Sequence, residues 1–173
     1  MSPLTSSVMK HAMASLAFLL AGTTLAADKP AVTGAVPGQW TMDFEAAGKV
    51  AAEKKLPIFI NFTGSDWCGW CKLMDKSVFS QPAWQAYAKD HLMLVWIDFP
   101  NDKSLVPEKF VARNRALAER FGVEGYPTYI ILDDDGKTRL GQLGADRGIN
   151  PERFIAQLKA VLKNRAAEAG EKP

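Results

Sequence analysis

The 173-residue chain has two cysteines, Cys68 and Cys71, and two histidines, His11 and His91. So few cysteines exclude a disulfide-stapled scaffold, which needs more of them at wider spacing. They also argue against a metal centre, because zinc takes four ligands and no second cysteine pair exists to supply them. His91 precedes an apolar segment, where a solvent-facing histidine is the expected reading. An excess of one charge is lacking as well: 21 Lys and Arg face 19 Asp and Glu, a formal net charge of +2. That balance leaves no basic footprint for nucleic acid or for an anionic membrane. No Gly-rich turn joins a strand to a helix, so no nicotinamide or flavin cofactor is expected. Hydrophobic residues make up 47% and charged residues 23%, which is globular composition and excludes a disordered chain. No internal repeat is present, and the length suits one domain.

The N-terminus reads as a secretory signal over residues 1–27. Lys10 and His11 give a weakly basic start, and an apolar run over 12–21 follows. Thr24, Leu25 and Ala26 then provide small residues for cleavage after Ala26 or Ala27. The apolar run is shorter than the roughly 20 residues that cross a bilayer, so a retained anchor is the weaker alternative. Cleavage would place the mature chain in the periplasm or outside the cell. The segment holds one Lys and no acid, so its removal leaves 20 basic against 19 acidic side chains.

Residues 28–39, rich in Ala, Pro and Gly, read as a flexible linker. A domain is expected over 40–164 and a disordered polar tail over 165–173. Within the domain, 40–55 has a helical apolar face (Phe44, Ala47, Ala51), with Thr41 or Asp43 as cap; a short strand near Trp40 is the alternative. Residues 58–62 (IFINF) and 92–99 read as buried strands. Helices are expected over 71–75, from Pro82 to Ala88, and from Pro107 to Phe121, the last with Phe110, Leu117 and Phe121 inward. Gly122 is placed to cap that helix in the left-handed region. Residues 128–132 and 138–143 form strands around an Asp135-Gly136 turn. A last helix opens at Asn150-Pro151 and carries Phe154, Ile155, Leu158, Val161 and Leu162 on one stripe. Strands separated by helices pair in parallel, and the final hairpin adds an antiparallel edge. The fold class is therefore α/β: a mixed sheet of four to five strands with helices on both faces.

Cys68 and Cys71 are the chemical candidates. They follow a strand and a polar turn (Thr63-Gly64-Ser65-Asp66) and open a helix. A sulfur at that position faces unpaired backbone N–H groups and the positive end of the helix dipole. Both favour the thiolate, which is the attacking species in disulfide exchange. With Cys71 three residues on, resolution of a mixed disulfide is intramolecular. The alternatives for the pair are a static disulfide or half of a metal site.

The segment from Ile58 to Lys72, with Trp67-Cys68-Gly69-Trp70-Cys71-Lys72, resembles the active-site segment of the thioredoxin superfamily. Phe121-Gly122-Val123-Glu124-Gly125-Tyr126-Pro127-Thr128 resembles the family's second signature. Gly136-Lys137 and Gly144 sit where the family has its closing hairpin and a glycine following it. The resemblance covers about 40–163 and implies a thioredoxin fold and a protein-disulfide oxidoreductase. It implies a cis peptide bond before Pro127 and pairing of the Tyr126 main chain with an extended client peptide. Pro127 would otherwise be the first residue of a strand, where proline is tolerated. Trp67 corresponds to the family's aromatic before the first cysteine, expected to shield the thiolate and touch clients; the alternative is a core Trp. Gly69 and Trp70 are further client-contact candidates, and Trp70 replaces the proline common in reducing thioredoxins. The residues between the cysteines tune the redox potential.

Two departures stand out. Where the family often has a buried acid on the strand before the motif, this chain has Asn61, which cannot accept a proton. Asp66 or water is the candidate substitute for proton transfer, the alternative for Asp66 being an exposed turn residue. Residues 101–106 form a longer segment, read as a surface loop or a partner contact. Val78-Phe79-Ser80-Gln81-Pro82 follows the motif as in thioredoxin-like domains of periplasmic thiol:disulfide interchange reductases, which favours a reducing direction. The partners this implies are disulfide-containing client proteins and a thiol electron donor such as a membrane reductase, acting on a monomer. An oxidase or isomerase, and a non-catalytic client- or metal-binding module, are the competing readings.

Overall fold

In a computed structural model, which describes residues 29–170, the centre of the sheet falls to the most continuously apolar segment. Strand β2 (Ile58–Thr63) is buried at every position, as a strand covered on both faces must be. Beside it lies β3 (Met93–Asp98), paired in parallel with β2. The two-residue β1 (Trp40–Thr41) adds to the far side of β3, also in parallel. On the other flank β4 (Thr128–Leu132) runs antiparallel to β2, and β5 (Arg139–Gly144) closes the hairpin. The order is β1-β3-β2-β4-β5, the mixed sheet with an antiparallel edge expected above.

Alternation along β2 sends its side chains to two cores. Ile58, Ile60 and Phe62 join a cluster with Ala47 and Ala51 of α1 (Phe44–Lys54) and Leu117 and Phe121 of α4 (Glu108–Phe121). Phe59 points the other way, into an aromatic cluster with Phe79, Trp84, Tyr129 and Phe154. Trp84 belongs to α3 (Pro82–His91) and Phe154 to α5 (Pro151–Gly170). Ring centroids around Phe59 lie 5.3 to 6.1 Å away, mostly edge to face, the arrangement aromatic quadrupoles prefer.

The helix ends follow local chemistry. Asp43 caps α1, accepting from Ala46 N–H at 3.0 Å. Asn150 caps α5 through Arg153 N–H at 2.9 Å. Gly122 ends α4 with φ +64°, the left-handed conformation expected of it.

Three expectations are corrected. Trp40 and Thr41 are strand, not helix, because β3 offers them a parallel edge. Residues 29–39, expected as a flexible linker, are mostly exposed but are fastened to the sheet by hydrogen bonds. Ala31 N–H donates to Trp40 O, Gly38 N–H donates to Leu92 O, and the Thr41 hydroxyl donates to Gly34 O at 2.6 Å. The Pro and Gly residues there mark turns, with Gly34 and Gly38 at φ +75° and +73°. At the other end α5 continues to Gly170, past the expected end at 164, sustained by the helix formers Ala166, Ala167, Glu168 and Ala169. The expected signal peptide, Asp28 and the last three residues lie outside the described residues. No helix among the described residues is long and apolar enough to cross a membrane.

Candidate active site

The end of β2 carries the chain into a turn that presents Cys68. Gly64 O accepts from Trp67 N–H at 3.2 Å and from Cys68 N–H at 2.8 Å. Ser65 ties the turn to β3: its N–H and its hydroxyl both donate to the buried Asp98 carboxylate. The Asp66 carboxylate accepts from Asn101 N–H at 3.0 Å and Asp102 N–H at 2.8 Å, which holds the 101–106 segment against the turn. Those N–H groups, Asp102's foremost, keep its carboxyl below the usual range. Asp66 is thus half-buried and fastened to a loop.

Cys68 is the N-cap of α2 (Gly69–Met74), which continues into a π-helical turn over Asp75–Phe79. Its Sγ accepts from Cys71 N–H at 3.1 Å. The two cysteines are joined by a disulfide, with Cα atoms 5.2 Å apart. Cys68 and Cys71 are 5% and 7% exposed. Opening the disulfide at Cys68 leaves a sulfur at a helix start, where an N–H donor is already aimed at it.

Across from Cys68 the Tyr126–Pro127 peptide is cis. Cys68 Sγ lies 3.6 Å from Tyr126 O. The second signature therefore meets the first at the sulfur, 58 residues away in sequence. The Tyr126 ring touches the Trp67 indole edge to face at 5.8 Å and the Phe99 ring at 5.3 Å. Burial, then the Asp98 charge, raises the Tyr126 phenol above its ordinary value. Trp67 is 47% exposed, and its Nε1 donates to Phe99 O at 2.8 Å. Trp70, 40% exposed, and Leu73 extend this apolar rim. Arg147 lies over the Trp70 ring at 5.2 Å. With Gly69 and Leu73, these two line a shallow recess of about 300 Å³.

The comparisons with known proteins agree with this geometry. Residues 44–162 match the family described as thioredoxin-like domain. The chain belongs to the thioredoxin-like family. It is 33% identical over 127 residues to the disulfide bond reductase DsbH of Chlamydia pneumoniae, spanning 73% of this chain and 74% of that protein. A solved DsbH oxidoreductase structure superposes with a TM-score of 0.67 at 30% identity, covering 75% of this chain and 87% of the other. A shorter stretch of 78 residues is 35% identical to the thiol:disulfide interchange protein DsbD of Pseudomonas fluorescens, 45% of this chain but 12% of that much longer protein.

Among the residues singled out from sequence, Cys68, Cys71, Trp67, Tyr126 and Pro127 meet at one surface, with Gly69 and Trp70 on its rim. Asn61 lies apart from that surface: it is buried on β2, on Phe59's side, opposite Tyr129 in the register. Its Oδ1 has no hydrogen-bond partner among the described residues. Sequence reading missed two neighbours. Asp98, ending an apolar strand with a charge, carried a signal; Arg147, in a polar loop, carried none. No metal-binding cluster of His, Cys, Asp or Glu occurs among the described residues.

Proposed function

We propose that the chain is an exported thiol–disulfide oxidoreductase that reduces disulfides in client proteins. The observation that carries this is the disulfide at a helix start, with Cys68 held between the Cys71 N–H and the Tyr126 carbonyl. In the dithiol form the Cys68 thiolate attacks one sulfur of a client disulfide. A Cys68–client mixed disulfide forms and the other client sulfur leaves as a thiolate, taking a proton. Cys71 then attacks Cys68 Sγ, the second client sulfur leaves, and the chain's disulfide closes. Two electrons pass to the client, and a thiol donor restores the dithiol.

Trp67, Gly69, Trp70, Tyr126 and Pro127 receive the client. Tyr126 supplies its main chain, and the two indoles supply exposed apolar area. Similarity to a disulfide bond reductase supports the reducing direction, and the local likeness to an interchange protein supports a membrane reductase as donor. The signal-like pattern of residues 1–27 supports a periplasmic site of action.

The test is reduction of insulin disulfides by the full chain with a chemical reductant. Cys68→Ser abolishes turnover, and Cys71→Ser accumulates a mixed disulfide. Undiminished turnover in Cys68→Ser would overturn the reading. A reduction potential near roughly −270 mV fits reduction, whereas one near roughly −120 mV would reverse the direction.

A further inference from the structure

Charged groups on the rim around the disulfide differ in what holds them. Lys72 Nζ donates to Asp66 O at 2.6 Å, and the Asp66 carboxylate accepts from the Asn101 and Asp102 N–H groups. Both are engaged by the turn and its loop. Arg147 is exposed. Its guanidinium makes no hydrogen bond or ion pair among the described residues, its chain neighbour Asp146 included. It lies over the Trp70 ring, 5.2 Å from the centroid. Contact with a ring face leaves the N–H donors of the planar fork free for an acceptor.

The fold fixes where that cation stands. Arg147 belongs to the short segment between β5 and α5. Before it, Ala145 packs against the aromatic core; after it, Ile149 is buried in that core. Gly148 turns the chain between them at φ +75°, a conformation glycine adopts without steric cost. Trp70 and Leu73, which line the recess of about 300 Å³ with Arg147, are 40% and 39% exposed. Gly69, the fourth residue of the lining, adds no side chain, and a Cβ there would meet nothing within 4 Å. Gly69 and Trp70 stand between the two cysteines in the chain, so a side chain entering the recess lies beside the reacting disulfide.

Resting on the reductase reading, we propose that Arg147 selects clients that carry an acidic residue, glutamate foremost, beside the disulfide they present. In the mixed disulfide the client cysteine is bonded to Cys68 Sγ, which brings the client's flanking residues over Gly69 and Trp70. A glutamate there lays its two methylenes on Trp70 and Leu73. Its carboxylate accepts from the guanidinium, whose fork matches a carboxylate with two parallel bonds. A lysine in the same place meets a like charge. The pair forms at an exposed rim, so its effect on rate is modest and fades with salt. Arg147 acts on the client's choice and leaves the exchange of sulfurs to the two cysteines.

The experiment uses the full-length dithiol protein and peptides of the form Ala-X-Cys-X-Ala, with X as Glu, Gln or Lys, each activated as a mixed disulfide with 4-thiopyridone. The Cys68 thiolate attacks the peptide sulfur and the Cys68–peptide disulfide forms. The better leaving group departs with the electron pair of the broken bond, takes a proton, and is read as thiopyridone absorbance. Each rate is divided by that of 2-mercaptoethanol with the same peptide at the same salt, which removes the peptide's own reactivity. At low salt the Glu-to-Lys ratio of the wild type is expected to exceed that of Arg147→Gln roughly three- to tenfold. Arg147→Lys keeps part of the preference, Arg147→Glu reverses it, and about 0.5 M salt removes most of it. Equal ratios in the wild type, Arg147→Gln and Arg147→Glu overturn the proposal. If a variant does not fold, the wild type decides alone: a ratio that does not drop with salt overturns it. Failure of the reductase reading would appear instead as a wild-type rate no higher than that of Cys68→Ser with all three peptides.

Discussion

Replacing Gly64 by Ala tests how the turn before Cys68 is held. A Cβ built on Gly64 would lie 2.6 Å from both Nε1 and Cζ2 of Trp67, and closer still to Cε2. Side chains do not approach so closely, so the indole must move. Trp67 is half exposed, and its way out is toward solvent. Leaving breaks the Nε1–H bond to Phe99 O, worth about 0.5–1.5 kcal/mol. It also breaks the edge contact with Tyr126, worth a further ~0.5–1.5 kcal/mol. The expected cost is therefore ~1–3 kcal/mol, or several degrees in Tm for a domain of this size. Thermal and urea unfolding of the wild type, Gly64→Ala, Trp67→Ala and the double variant measure it as a cycle. With Trp67 already removed, Gly64→Ala is expected to cost almost nothing. An equal cost in both backgrounds would refute the reasoning, since the added methyl would then be meeting something other than the indole.

Other outcomes follow from the same physics. Phe59→Ala empties the centre of the aromatic cluster and is expected to cost ~3–5 kcal/mol in urea unfolding; a loss below ~1 kcal/mol would contradict the packing. Lys55 sits at φ +57° as the C-cap of α1, so Lys55→Gly is expected to stabilise by ~0.5–1 kcal/mol through relief of left-handed strain. Burial raises the Asp75 carboxyl, with the Ser80 hydroxyl opposing, so the folded chain holds that proton more tightly than the unfolded chain. Stability from this group is present in acid and is lost as pH rises from the ordinary carboxyl value through the raised one. Asp75→Asn should therefore melt above the wild type at neutral pH, with the gap closing in acid; a lower melting point at neutral pH would contradict this sign.

Much of the fold could be read because its segments announce themselves in period and composition. The run Ile58-Phe59-Ile60 is apolar without interruption and lies at the sheet centre, and the stripe of α5 buries Phe154 and Leu158 as expected. Gly122 ends α4 where a residue without a side chain suits positive φ. What escaped was decided by tertiary partners. Trp40 follows turn residues and opens an apolar helical face, and only the free edge of β3 makes it a strand. Residues 29–39 look like a linker because nothing in Pro and Gly spacing shows that Thr41 and Leu92 will hold them. At the site, Cys68, Cys71 and Pro127 stand in motifs whose spacing carries their chemistry. Arg147 stands in none and matters through its place over the Trp70 ring. Position in space, not residue type, makes it a candidate.

The claim beneath all of this is that Cys68, once reduced, is an unusually acidic thiol because it begins a helix and receives the Cys71 N–H. Titration of thiolate absorbance in the dithiol protein, with Cys71→Ser to isolate the signal, measures it directly. The account predicts ionisation of Cys68 well below the value of about 8.5 for a free cysteine. Ionisation at or above that value would contradict it.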